Sequence, residues 1–171
     1  MNIRRLGAAD AHQFKALRLE GLQQHPEAFG AAYAVEAAQP IEHTAEWLSQ
    51  ALVWGGFDAQ NVLKGIMGLH QEQSPKRQHV STIWGVYVAP DCRGTGMAQG
   101  LLQAVVTEAR GVSCSIRLAV ATDNEPAIRL YQQMGFTIWA TERQALWVDG
   151  VFYDEYLMRL DVAEPEQPNE A

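Results

Sequence analysis

The chain has 171 residues, 47% of them hydrophobic and 19% charged, with 13 Lys and Arg set against 20 Asp and Glu. That length fits one domain able to bury a core without disulfide or metal staples, and the composition excludes a disordered polymer. The net charge of −7 argues against broad binding to nucleic acid or to an anionic membrane, both of which call for a basic face.

The first six residues carry two arginines but no apolar run after them, so neither a signal peptide nor a membrane anchor is read here, and a cytoplasmic protein is expected. Residues 3–6 read as a strand. Residues 8–25 follow as an amphipathic helix, with Phe14, Leu17, Arg18 and Leu22 on one face and Asp10 near its start. Pro26 breaks that helix, and a second helical stretch is centred on residues 41–52.

Residues 52–57 and 62–70 read as two strands of a hairpin closed by Asp58-Ala59-Gln60-Asn61, with Gly65 and Gly68 marking bulges. A loop at 74–78 precedes the β-branched run 80–88. Met97, Leu101, Val105 and Ala109 then recur every four residues up to Gly111, which predicts a helix. A strand over 116–121 and a helix over 124–134 come next, the helix with Ala127, Leu130, Tyr131 and Met134 on one face. Residues 136–148 and 151–160, joined by Asp149-Gly150, predict a β-hairpin. No repeat or linker interrupts the chain, so residues 1–161 are expected to be one domain and 162–171 a flexible acidic tail.

The chemistry concentrates where the run Val86-Tyr87-Val88 passes through Arg93-Gly94-Thr95-Gly96 into the helix opening at Met97-Ala98. A strand turning through glycines into a helix presents unpaired backbone amides with partial positive charge, and the glycines let the backbone close on an anion. The spacing is neither that of the P-loop nor that of the dinucleotide fingerprint. Arg93-Gly94-Thr95-Gly96-Met97-Ala98 instead matches the Q/R-x-x-G-x-G/A motif of the GCN5-related N-acetyltransferases (GNAT superfamily). The stretch from Asn124 to Phe136 resembles that family's second signature, N-x-x-A-x-x-L-Y-x-x-x-G-F.

The resemblance extends over most of residues 2–160. It implies an α/β fold with a mixed, mostly antiparallel central sheet of about seven strands, flanked by helices on both faces. It also implies an enzyme that moves acetyl from acetyl-CoA, its cosubstrate, directly to a primary amine of a small molecule or of a peptide N-terminus. By that resemblance Val86, Tyr87 and Val88 would pair through their backbone with the pantetheine arm, and Arg93, Gly94, Thr95, Gly96, Met97 and Ala98 would hold the pyrophosphate. Asn124 would cap its helix or touch the cofactor. Tyr131 would protonate the departing thiolate.

Relatives often carry a carboxylate base on the signature strand, but residues 79–86 contain none, which leaves His79, Glu36 or a water chain as candidates. Trp84, Phe29 and Tyr33 are candidate walls of the acceptor site. Cys92 is a less favoured covalent nucleophile, and Asp154 and Glu155 are set aside as solvent-facing. Cys92 and Cys114 lack CxxC spacing, so free thiols and no metal site are expected. The alternative reading is a catalytically inactive module that binds acyl-CoA for regulation. No nucleic acid or membrane partner is expected, and family analogy implies a homodimer through edge strands.

Overall fold

The computed structural model describes residues 1–162. The tail read from 162 onward lies outside the described residues, apart from Val162, whose amide donates to the Cys114 carbonyl at 2.9 Å. Strands β1 (Asn2–Arg5), β2 (Leu52–Phe57), β3 (Leu63–Gln71), β4 (Val80–Val88), β5 (Ser115–Ala121), β6 (Thr137–Val148) and β7 (Val151–Asp161) form one sheet in the order β1-β2-β3-β4-β5-β7-β6. Every neighbouring pair is antiparallel except β4 with β5. This is the mixed seven-stranded sheet the resemblance implies.

Helices α1 (Ala11–Gln24), α2 (Tyr33–Ala37) and α3 (Ile41–Gln50) lie before β2, α4 (Met97–Arg110) between β4 and β5, and α5 (Glu125–Gln133) between β5 and β6. The helix expected over 8–25 is α1 preceded by a short 3-10 turn at Ala8–Asp10. Asp10 accepts from the Gly7 amide at 2.9 Å and from both Arg4 terminal nitrogens at 2.7 and 2.8 Å. The four-residue spacing on α4 buries Met97, Leu101, Val105 and Ala109 to 2% exposure or less, together with Leu102 and Val106. At about 1.5–3 kcal/mol for each large apolar side chain removed from water, this face fixes α4 against the sheet. Leu17, Leu22, Leu48, Val53 and Ile66 form a second core on the opposite face, beneath α1 and α3. Helices therefore cover both faces.

The two closing turns follow their residues. Asp149 and Gly150 have φ of 49° and 83°, the left-handed pair of a type I′ turn, whose twist matches the strands it joins. At the β2–β3 connection, Asp58 Oδ1 accepts from the amides of Gln60 and Val62, both at 2.9 Å.

The bulges expected in β3 are only partly there. An extra β3 residue beside Gly65 shifts the register against β2, but the irregularity facing Gly68 belongs to β4. Between Ile66↔Tyr87 and Gly68↔Trp84, one β3 residue, Met67, opposes two of β4, Gly85 and Val86, and Gly85 adopts φ of 64°. A left-handed glycine in a bulge bends the strand and sharpens its twist. The parallel ladder accordingly runs only from Val80↔Ser115 to Thr82↔Arg117, beyond which β4 and β5 part.

Candidate active site

Where β4 and β5 separate, the outer edge of β4 has no strand partner, and a cavity of about 720 Å³ opens there. Val86, Tyr87 and Val88 form one wall. Arg93, Gly94, Gly96, Met97 and Ala98 form the end where α4 begins, and Ala121, Asn124 and Tyr131 form the other wall. The structure thus brings the sequence-singled residues into one cleft, with the exception of Thr95. That side chain is outside the lining, its hydroxyl donating to the Cys92 carbonyl at 2.7 Å.

Gly94 and Gly96 hold φ of 74° and 86°, and Gly96 is the residue before the first turn of α4. Among the described residues, no acceptor meets the amides of Gly94, Gly96, Met97, Ala98 and Gln99. These are the donors that an α-helix N-terminus leaves open, aligned with the positive end of its dipole, and together they suit an anion such as a pyrophosphate. The Arg93 side chain folds back over the strand end, Nε donating to the Val88 carbonyl at 3.1 Å and Nη2 lying 3.2 Å from His25 Nε2. Its charge is thereby held at the cleft.

Tyr131 is 4% exposed and packs tilted against Phe136, with ring centroids 5.9 Å apart. Burial pushes its hydroxyl above the ordinary phenol value of 10, so it stays protonated through the neutral range. Asn124 Oδ1 accepts from the Ala127 amide at 3.3 Å, so Asn124 caps α5 while it lines the cleft. Tyr87 is raised to about 12, first by desolvation and then by its hydrogen bond to Glu20 at 2.9 Å. Its hydroxyl is therefore a fixed structural donor behind the strand.

The acetyltransferase (GNAT) family matches residues 20–136, and the N-alpha-acetyltransferase RimI of Mycobacterium tuberculosis is 31% identical over 137 residues, covering 79% of this chain and 76% of that protein. The chain belongs to the GNAT acetyltransferase family. The L-amino acid N-acyltransferase MnaT of Escherichia coli is 31% identical over 85 residues, 49% of each chain. Against MnaT and the Escherichia coli L-amino acid N-acetyltransferase AaaT, this chain spans 49% and 59% of their length. Two solved folds superpose with a TM-score of 0.84. One is yncA from Salmonella typhimurium with its cofactor acetyl-CoA, 21% identical and covering 100% of this chain and 99% of that one. The other is a GNAT-family acetyltransferase from Streptococcus pneumoniae, 20% identical and covering 95% and 99%.

Within this GNAT frame the remaining candidates separate. His79 is exposed at the opposite end of β4, roughly 20 Å along the strand from Val86. Both Glu36 oxygens are engaged by Arg18, through Nε at 3.1 Å and Nη2 at 2.9 Å. Phe29 lines the cleft, and Trp84 lines a second, smaller cavity on the other side of Gly85. Tyr33 is 42% exposed and lines neither. Cys92 lines the cleft as a free thiol, and Cys114 is also free.

Sequence reasoning missed Glu27 and Asp123, the carboxylates of the cleft lining, and His25, whose Nδ1 lies 3.3 Å from Glu27 Oε1. These come from the α1–α2 connection and the β5–α5 turn. The Pro26 helix break was the one sign that the chain there serves something other than packing. Glu155, set aside as solvent-facing, is half-buried, and its carboxyl is held above the ordinary range by desolvation and then by Glu142 across the ladder. No described helix is long and apolar enough to cross a membrane.

Proposed function

We propose that this protein transfers acetyl from acetyl-CoA directly to a primary amine, with residues 1–161 as one acetyltransferase domain working in the cytoplasm. The observation that carries the reading is the convergence of three features on one cleft: the unpartnered edge of β4, the acceptor-free amides at the start of α4 and the Tyr131 hydroxyl. Acetyl-CoA supplies the activated acyl thioester. The β4 backbone from Val86 to Val88 orients the pantetheine and polarises the thioester carbonyl, a role that needs no particular side chain. The amides from Gly94 to Ala98 hold the pyrophosphate, and Arg93 adds charge.

Tyr131, raised by burial, keeps its proton until the thiolate departs and then donates it. Glu27, held by His25 and lining the cleft, takes the proton from the attacking amine. The open edge of β6, with Trp147 71% exposed at the hairpin end, supports pairing with a second copy. A monomeric mass in light scattering would remove that part of the reading.

The test is calorimetric titration with acetyl-CoA, followed by thiol release against a panel of amines for the wild type, Tyr131→Phe and Glu27→Gln. Binding is expected in all three, with release reduced by about 10²–10⁴ in each variant. Binding without release from any amine would favour the regulatory module. No binding would overturn the reading.

A further inference from the structure

The second cavity, about 190 Å³, lies between α1, α3 and β4 and is lined by Phe14, Lys15, Arg18, Glu36, Trp47 and Trp84, among others. Three of its walls are aromatic. Trp47 meets Trp84 edge-on at 5.6 Å and Phe14 at 5.7 Å. The charged walls are two cations and one carboxylate, so the cavity carries a net positive charge.

Arg18 is the unusual member. Its side chain is 7% exposed, two of its nitrogens are satisfied by Glu36, and Nη1 is buried with no hydrogen-bond partner. A buried guanidinium donor left unpaired costs free energy, and native structures rarely keep one unless something fills it. Nη1 lies 3.3 Å from where a Cβ on Gly85 would stand, at the β4 bulge. The guanidinium also sits 5.0 Å from the Phe29 ring and 5.8 Å from the Trp84 ring. Phe29 and Val86 line the large cleft, and Trp84 lines the small cavity. Arg18 therefore lies between the two, lining the small cavity with its guanidinium over Phe29 of the large cleft.

We propose that this cavity is the acceptor subsite and that it takes a small α-amino acid with an aromatic or bulky apolar side chain, its carboxylate bound by Arg18 and its side chain packed against the aromatic wall of Phe14, Trp47 and Trp84. In an α-amino acid the amine is two bonds from the carboxylate, so a carboxylate anchored at the bulge brings the amine to the β4 edge at Val86. The volume, below the roughly 300 Å³ at which pockets for drug-sized ligands begin, suits one amino acid better than a continuing peptide. Glu36 fixes the guanidinium plane through Nε and Nη2 and leaves Nη1 for the ligand. Lys15, on the same face of α1, donates to the carbonyls of Ala37 and Gln39 and so ties the segment after α2 beside the cavity.

This inference names the acceptor of the proposed acetyltransferase and rests on that reading, so its test measures acceptor binding directly and without acetyl-CoA. Tryptophan fluorescence of the full chain, whose five tryptophans include Trp47 and Trp84, is titrated with L-phenylalanine and with phenethylamine, the same molecule without its carboxylate. L-Phenylalanine is expected to bind roughly 10- to 100-fold more tightly, the worth of a charge-assisted hydrogen bond. Arg18→Gln is expected to abolish that preference while leaving acetyl-CoA affinity within twofold.

If Arg18→Gln unfolds because Glu36 is left unpaired, the wild-type comparison of the two ligands stands by itself. Equal affinity for both, or a preference for phenethylamine, overturns the proposal. L-Phenylalanine binding that persists in a chain failing to bind acetyl-CoA supports the subsite and overturns the acetyltransferase reading instead.

Discussion

Gly68→Ala tests whether the β4 bulge and the indole beside it set the acceptor side of the molecule. Gly68 pairs with Trp84 across the β3–β4 ladder, and the indole lies over the bare glycine backbone. A Cβ at residue 68 would stand 2.2 Å from Trp84 Cε2, 2.4 Å from Cζ2 and 2.6 Å from Nε1. Ordinary carbon contacts are about 3.5–4.0 Å, so the indole must withdraw by about 1–2 Å. It has little room to do so, with Trp47 edge-on at 5.6 Å and the Arg18 guanidinium at 5.8 Å.

Overpacking of this kind costs about 1–3 kcal/mol, and in a chain of this length each kcal/mol lowers Tm by about 2–4 °C. Thermal unfolding followed by circular dichroism should therefore show Tm lowered by about 2–12 °C. Near-ultraviolet bands of the tryptophans should change, and acceptor binding should weaken. Acetyl-CoA affinity should hold, because Trp84 is not part of the large cleft's lining. A variant with wild-type Tm and wild-type acceptor binding would refute the argument.

Two further predictions concern backbone strain and pH. Gly96→Ala places a Cβ where φ is 86°; no atom stands within 4 Å of it, so the cost is backbone strain alone, about 1–2 kcal/mol. Both Tm and acetyl-CoA affinity should fall, and a variant that binds and melts as the wild type does would remove the loop from the pyrophosphate site. Glu155 is held above its ordinary 4.5 by desolvation and by Glu142, so the folded chain keeps that proton to higher pH than the unfolded chain does. The stability it contributes is full below 4.5 and is lost as pH rises through the raised value. Denaturation midpoints of the wild type should therefore decline relative to Glu155→Gln over that window, and a constant difference across pH would contradict this.

Much of the fold was legible in the chain because it rests on local chemistry. The four-residue spacing from Met97 to Ala109 marked α4, Asp149-Gly150 marked the closing turn, and Asn124 stood as the cap of α5. The residues of the large cleft were legible for the same reason, since glycines at a strand-to-helix turn and a tyrosine at helical spacing are read within single elements. Arg18 was also visible as a charged residue among the buried positions of α1, although its partner, Glu36, lies 18 residues away.

What only tertiary structure decided arises between elements distant in sequence. Gly68 looked like a bulge because a glycine inside a strand signals either a bulge or a close approach. The choice was made by Trp84 on the neighbouring strand, while the bulge itself fell at Gly85. The separation of β4 from β5 depends on a ladder of three residues joining segments more than thirty apart. The unpaired Arg18 nitrogen depends on α1, α2 and β4 meeting at one point. Periodicity registers which face of an element is buried, but the partner on that face is set by packing, and the functional geometry of this chain lies in those partnerships.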